Sequence, residues 1–196
     1  DDAYYLTASY RRDGASVFGA DNKWGNFYAF GGAWRVTHEK FMEKVRFLND
    51  LKLKLSWGRN GNQSIDPYGT LSEAVIGPGG GIAYPFGNST VPSFGIKQNS
   101  LGNSGLGWET TNSWNFGFES AWLNNRLFVN MDVYLSRTTD QIFNRTIPSM
   151  TGFDSMKSTM GEVANRGVEF SIHSVNIENK DWRWDTNLTF WLNRNE

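Results

Sequence analysis

The sequence predicts an all-β chain: an antiparallel segment of about seven strands from a transmembrane β-barrel. Three observations carry that expectation. Leu127, Val129, Met131, Val133 and Leu135 form an unbroken aliphatic row, with Phe128, Asn130, Asp132 and Tyr134 between them; a period of two with one wholly apolar face is a strand. Trp114, Phe116, Phe118 and Trp122 alternate in the same way against Glu109, Thr111, Asn115 and Glu119. Asn124-Asn125 between the two runs favours positive φ and a tight reversal, so the pair reads as a hairpin. Length decides its kind: each run alternates for roughly 10 residues or more, whereas strands of soluble domains average about 5–6 and a tilted bilayer-spanning strand needs about 9–11.

Taken in order, a first strand covers residues 4–10 and is followed by a loop over 11–26. A second covers 27–36, with Tyr28, Phe30, Trp34 and Val36 in phase, and the connection 37–49 suits a helical turn. The third sets Leu51, Leu53, Leu55 and Trp57 against Lys52, Lys54 and Ser56. A Gly/Ser/Asn/Pro-rich excursion over 61–107 leads into the central hairpin, and a second excursion spans 139–165. The sixth strand places Val168, Phe170 and Ile172 opposite Glu169, Ser171 and His173. After a turn over 176–181, the seventh sets Trp182, Trp184, Leu188, Phe190 and Leu192 against Arg183, Asp185, Asn187 and Thr189.

Within these bounds the apolar phase of the last five strands carries no charge, while the other phase carries Lys52, Lys54, Glu119, Asp132, Glu169, Arg183 and Asp185. A charge at the midplane of a barrel's lipid face costs about 2–4 kcal/mol, so Leu127, Val129, Met131, Val133 and Leu135 are expected to face outer-membrane lipids. Connections alternate long and short, as external loops and periplasmic turns do; parity places 11–26, 61–107 and 139–165 outside. Trp122 sits where an interfacial aromatic belongs. A soluble, sugar-binding β-sandwich also alternates polar and apolar residues, but its strands are shorter.

Composition narrows the function classes. The 20% of charged residues and the absence of a long apolar run argue against transmembrane helices, and say nothing against a barrel with a polar inner face. A net charge of −1 gives no electrostatic case for nucleic acid. Without cysteine there are no disulfides and no thiolate chemistry. His38 and His173 lie in separate elements without ligand spacing. Gly77-Pro78-Gly79-Gly80-Gly81 lacks the Lys-Ser/Thr of a phosphate loop. Glu109 and Glu119 as a glycosidase pair would be about 33 Å apart along one strand, too far for that chemistry. Neither a catalytic centre nor a cofactor or metal site is expected.

Several short blocks follow one another in a fixed order along the chain. They are Leu6-Thr7-Ala8-Ser9-Tyr10-Arg11-Arg12-Asp13-Gly14 with Phe18-Gly19, Ala33-Trp34-Arg35-Val36, Leu48-Asn49-Asp50-Leu51-Lys52-Leu53-Lys54 and Gly58-Arg59-Asn60-Gly61-Asn62-Gln63. Further along come Trp108-Glu109-Thr110-Thr111, Asn124-Asn125-Arg126-Leu127, Gly161-Glu162-Val163-Ala164-Asn165-Arg166-Gly167-Val168-Glu169 and Trp182-Arg183-Trp184. In this order the blocks resemble the barrel of SusC/RagA-type TonB-dependent outer-membrane transporters, and the resemblance implies that residues 1–196 are part of a C-terminal barrel domain of roughly 22 strands, with the signal peptide, the TonB-contacting segment and the plug domain expected elsewhere. It also implies a bacterial outer-membrane location, a SusD-like surface lipoprotein as partner, and energy-coupled import of glycans or oligopeptides. A passive porin is the alternative that an upstream plug would exclude. Tyr68, Tyr84, Phe86, Phe94, Phe143 and Phe153 in the two long excursions are the candidate contacts for cargo or lipoprotein, since aromatic faces among amides and hydroxyls suit both sugar rings and peptides.

Overall fold

The computed structural model describes residues 3–77, 83–84 and 93–196. Its strands in chain order are β1 (Tyr4–Gly14), β2 (Trp24–Arg35), β3 (Leu48–Asn62), β4 (Glu73–Ile76), β5 (Ala83–Tyr84), β6 (Ser93–Phe94), β7 (Ile96–Ser100), β8 (Glu109–Trp122), β9 (Leu127–Thr139), β10 (Ile142–Thr146), β11 (Ser155–Thr159), β12 (Glu162–Glu178) and β13 (Arg183–Asn195). Seven of them form one antiparallel sheet in the order β1-β2-β3-β8-β9-β12-β13. The long strands pair with their neighbours in chain order, so the sheet is a meander with every excursion leaving from one end. That end is called the loop end below, and the other the turn end.

The register shows why this sequence makes one curved layer with two unlike faces. Across one rung lie Tyr4, Trp34, Leu53, Phe118, Met131, Phe170 and Phe190. The next rung toward the loop end holds Leu6, Gly32, Leu55, Phe116, Val133, Val168 and Leu192. Because side chains alternate with period two, every apolar residue of these rungs shares one face. Cross-strand aromatic pairs fasten that face: Phe30 stacks on Trp57 at 6.1 Å between centroids, and Trp57 leans on Trp114 at 5.8 Å. Such pairs contribute roughly 0.5–1.5 kcal/mol each beyond area burial. No second layer covers this face among the described residues; Leu6 is 88% exposed and Phe190 58%.

The turns follow local chemistry. At the reversal between β8 and β9, Asn124 and Asn125 take φ of 59° and 61°, conformations asparagine tolerates. Leu123 joins them at φ 53°, held by its N–H to the Phe47 carbonyl at 2.9 Å. The connection after β2 contains two short 3₁₀ turns, Val36–His38 and Lys40–Met42.

The strands run longer than hydropathy alone suggested. Gly61 and Asn62 belong to β3, Ala164 and Asn165 to β12, and residues 11–14 to β1. The connections therefore shrink to 15–23, 63–108 and 140–161. At the far end β12 continues to Glu178 through a register shift at Val175/Ile177, which leaves only 179–182 as the turn. One reading needs correction as a consequence. The apolar phase is charge-free only in the middle; at the loop end the same phase carries Arg12, Arg59, Arg137, Glu162, Arg166 and Arg194. Backbone pairing outlasts the apolar pattern, so an alternation test stops short of the strand.

Candidate functional site: the polar face and the loop cluster

The face opposite the apolar one is lined by short polar side chains and a few charges. At its centre Lys54 Nζ lies 2.7 Å from Glu119 Oε1 and 3.6 Å from Asp132 Oδ1. Lys54, Gly117 and Asp132 share a rung on β3, β8 and β9. A Cβ built on Gly117 would stand 2.2 Å from Asp132 Oδ1, so glycine is what lets the carboxylate lean across β8 toward the amine. Arg35 Nε approaches Asp50 at 3.3 Å, and Thr37 Oγ1 donates to the same carboxylate at 2.9 Å. Beside this network, Gly31, Ala33 and Ser56 leave a hollow of about 250 Å³ that reaches Tyr5 and Thr7. His173 meets Asn187 Oδ1 at 2.7 Å and packs its ring near Phe128. None of these groups forms a nucleophile–base pair, and no cluster among the described residues could hold a metal ion. The wall is a set of fixed hydrogen-bonding groups and balanced charges.

At the loop end the three excursions are tied into one body. Ala15, Phe18 and Leu106 make a small buried core, with Val17, Ile65, Trp108 and Ile142 packed around it. These residues come from all three excursions and their flanks. Polar bonds repeat the pattern: Thr70 Oγ1 donates to the Val17 carbonyl at 3.2 Å, and Asn22 Nδ2 to that of Gly105 at 3.2 Å. Trp108 Nε1 reaches the Lys23 carbonyl at 3.2 Å, and Asn103 Nδ2 that of Lys157 at 2.9 Å. Lys157 Nζ pairs with Asp66 at 3.1 Å. A polar cleft of about 230 Å³ opens between the second and third excursions, lined among others by Asp66, Ser100, Asn144 and Lys157. The excursions also carry their own two-stranded ladders, β4 with β7, β5 with β6, and β10 with β11.

The aromatic candidates are scattered over this body. Tyr68 sits in the tight turn after Asp66 with φ 63° and 72% exposure. Phe94 belongs to β6, Phe143 to β10 with its ring against Gly161, and Phe153 is half-buried after the turn Ser149–Thr151. None of these four lines the polar cleft. Phe86 and the Tyr84 side chain lie outside the described residues. The residues that organise the loop end, Phe18, Phe27, Leu106 and Trp108, were not singled out as such from sequence. Their signal was present as bulky apolar residues inside Gly/Asn/Ser-rich stretches, where a packing role is their default.

Leu127, Val129, Met131, Val133 and Leu135 fall on the apolar face, each opposite a β8 residue from Trp122 to Trp114 and, for the middle three, opposite Ile172, Phe170 and Val168 of β12.

A family model described as TonB dependent receptor-like, beta-barrel matches residues 1–195. TonB-dependent receptor P39 of Formosa agariphila is 39% identical over 193 residues, covering 98% of this chain and 18% of that protein. TonB-dependent receptor SusC of Bacteroides thetaiotaomicron is 35% identical over 195 residues, covering 98% of this chain and 19% of that protein. Among solved structures, the RagAB peptide importer in its closed-closed state superimposes with a TM-score of 0.84 at 32% identity, covering all of this chain and 20% of that one. The chain thus spans about a fifth of the length of these relatives. Barrels of this kind are bacterial outer-membrane proteins, and the seven-stranded sheet is a transmembrane segment of one. The chain belongs to the TonB-dependent receptor-like β-barrel family.

Proposed function

We propose that this chain is a wall of a TonB-dependent importer that carries glycans or oligopeptides across the outer membrane together with a SusD-like surface lipoprotein. What supports the reading is the end-to-end likeness to SusC and to the chain in the RagAB importer, which leaves no part of the sequence unaccounted for. In this reading the polar face lines the lumen, the apolar face meets lipid, and the loop end is external. TonB acts through a segment that is not part of these residues.

The register supports the lipid assignment independently. On β12 and β13 the apolar band ends toward the loops at Arg166/Arg194. On β1 it ends at Arg12. In the numbering of β9, Arg166 lies level with Leu135 and Arg12 one rung past the level of Arg137. The loop-end boundary therefore climbs by two rungs from one side of the sheet to the other. Two rungs rise about 14 Å, and the gaps between seven strands span about 29 Å. The slope implies strands tilted about 25° from the membrane normal, in the direction of the 35–45° of closed barrels. A flat membrane surface crossing tilted strands produces a sloping boundary of this kind.

The knitted loop cluster is the part of this chain that would meet cargo and lipoprotein. A lid needs a specific interface of at least about 1,000 Å², and two excursions packed on a common core can present such a surface without first being ordered. Deleting residues 76–94 from the intact protein tests this. The expected result is loss of growth on the cognate polymer and weakened co-purification of the lipoprotein, with insertion preserved. Unchanged growth and undiminished co-purification would remove this excursion from the uptake mechanism.

A further inference from the structure

On the apolar face, Gly32 leaves a dent between Leu6 and Leu55. Two hollows of about 390 and 530 Å³ meet there, one running toward Trp34 at the turn end and the other toward Trp57 at the loop end. One rung past Trp57 on the same phase is Arg59, level with Tyr28, and beyond Tyr10 on β1 is Arg12. The two arginines differ from the other three of this phase. Arg137 is held by Glu162 at 2.5 Å, and Arg166 and Arg194 share Glu196 at 2.8 Å each. Among the described residues no carboxylate pairs with Arg59 or Arg12. Arg59 Nε is covered by the protein and meets no acceptor, and Arg12 rests over the Trp24 ring at 4.8 Å. At the turn end the strand residues of this phase, such as Ser120, Leu127, Ser174 and Thr186, are uncharged, and the charge beside Tyr4 and Trp34 there is the Glu39 carboxylate, which repels an anion.

We propose that this is a seat for one lipid bearing a phosphate headgroup, drawn from the outward-facing leaflet. Its acyl chain lies in the groove over Gly32, and its phosphate sits between Arg59 and Arg12. The proposal rests on the membrane orientation argued above. A guanidinium at the edge of a hydrocarbon band is costly without an anion, and its planar fork matches a phosphate better than any neutral headgroup. Tyr28 and Trp57 flank the seat at the depth where amphipathic rings collect. A free phosphate would satisfy the arginines but leave the groove without an occupant; the continuity of groove and charge selects a lipid.

The test uses the intact protein in phosphatidylcholine nanodiscs containing phosphatidic acid or, as its phosphate-free counterpart, diacylglycerol. Retained lipid is read by native mass spectrometry, after heat-modifiable gel mobility has shown each variant to be inserted. Wild type should retain phosphatidic acid in preference to diacylglycerol. Arg59→Gln and Arg12→Gln should each lower that retention about fivefold, the effect of one basic residue at an anionic surface. Gly32→Leu should lower it as well by filling the groove, where a Cβ meets nothing closer than the Leu6 side chain at 3.6 Å. Arg166→Gln removes the same charge from an arginine already paired and should leave retention unchanged. Equal losses in Arg59→Gln and Arg166→Gln would reduce the effect to net charge and overturn the seat. Displacement of phosphatidic acid by inorganic phosphate, with Gly32→Leu without effect, would overturn it in favour of a bare anion site. Normal insertion of Val129→Arg would instead defeat the membrane orientation, whatever the lipid result.

Discussion

Phe27 shows how much of the loop end depends on one ring. It points to the polar face, is 3% exposed, and lies edge-on to Trp108 with centroids 5.3 Å apart. The ring roofs two glycines: a Cβ on Gly61 would fall 2.0 Å from Phe27 Cζ, and one on Gly25 2.4 Å from it. Gly61→Ala must therefore push the ring out of its packing, and overpacking of this kind costs about 1–3 kcal/mol. The expected outcome is a lower temperature for loss of the heat-modifiable gel band of the intact protein. A second residue carries a pH dependence. Glu39, in the connection after β2, accepts hydrogen bonds from the Tyr4 hydroxyl and from Trp34 Nε1 at 3.1 Å. These donors, Tyr4 foremost, hold its carboxyl below the ordinary value of 4.5. A lowered carboxyl pKa means that the stabilisation is full above the unfolded value and is lost as pH falls through the folded one. Amide protection over residues 36–42 should weaken below about pH 4.5 in wild type and show no such step in Glu39→Gln. Neither feature was legible from sequence. An aromatic in the polar phase breaks no pattern, and a carboxylate bound to residues 5 and 35 positions away leaves no local spacing.

At the scale of elements, the β8–β9 hairpin was legible because its chemistry is repetitive. Trp114, Phe116 and Phe118 face Leu135, Val133 and Met131 across the ladder, so each strand's alternation is reinforced by its neighbour. What stayed hidden was where strands end. Past the band the outward phase turns to Arg12, Ala164 and Glu162, which alternation alone assigns to loops although the backbone ladder continues through them. The hairpin gives the sharpest test of which face meets lipid. Val129→Arg or Met131→Arg places a charge near the middle of the band and should cost about 2–4 kcal/mol, enough to block stable insertion. Asp132→Asn, on the opposite face, removes one of the two carboxylates near Lys54 and leaves Glu119 at 2.7 Å, so insertion should persist. Equal insertion of Val129→Arg and Asp132→Asn, read by heat-modifiable mobility, would reverse the assignment of the faces. At the turn, Leu123 at φ 53° pays for the tight reversal in backbone strain. Leu123→Asn should relieve about 1 kcal/mol of it, because asparagine occupies that region more readily; a raised gel-shift temperature is the expected reading.

The whole molecule is defined by what its sheet leaves open. Seven strands pair in sequence, and β1 and β13 each have a long edge without a partner among the described residues. In a bilayer every unsatisfied N–H and C=O costs several kcal/mol, so a sheet of this length is stable there only when further strands close it. In water the difficulty changes sides. The apolar face leaves Leu6, Leu55, Trp114, Leu188 and Phe190 half or more exposed, and among the described residues only the small cluster around Phe18 and Leu106 forms a buried core. That cluster belongs to the loop end and holds no residue of the sheet's middle. A sandwich would need a second sheet over the apolar face, and among the described residues no strands are left to build one: the remaining ladders there are the short pairs within the excursions. Expressed by itself, the 196-residue chain should therefore aggregate in detergent-free buffer, through its edges and its apolar face together. Size-exclusion chromatography and thermal melting give the reading. A monodisperse species with a cooperative melt would mean that the apolar face finds cover within the chain, and would restore the soluble sandwich that the register argues against.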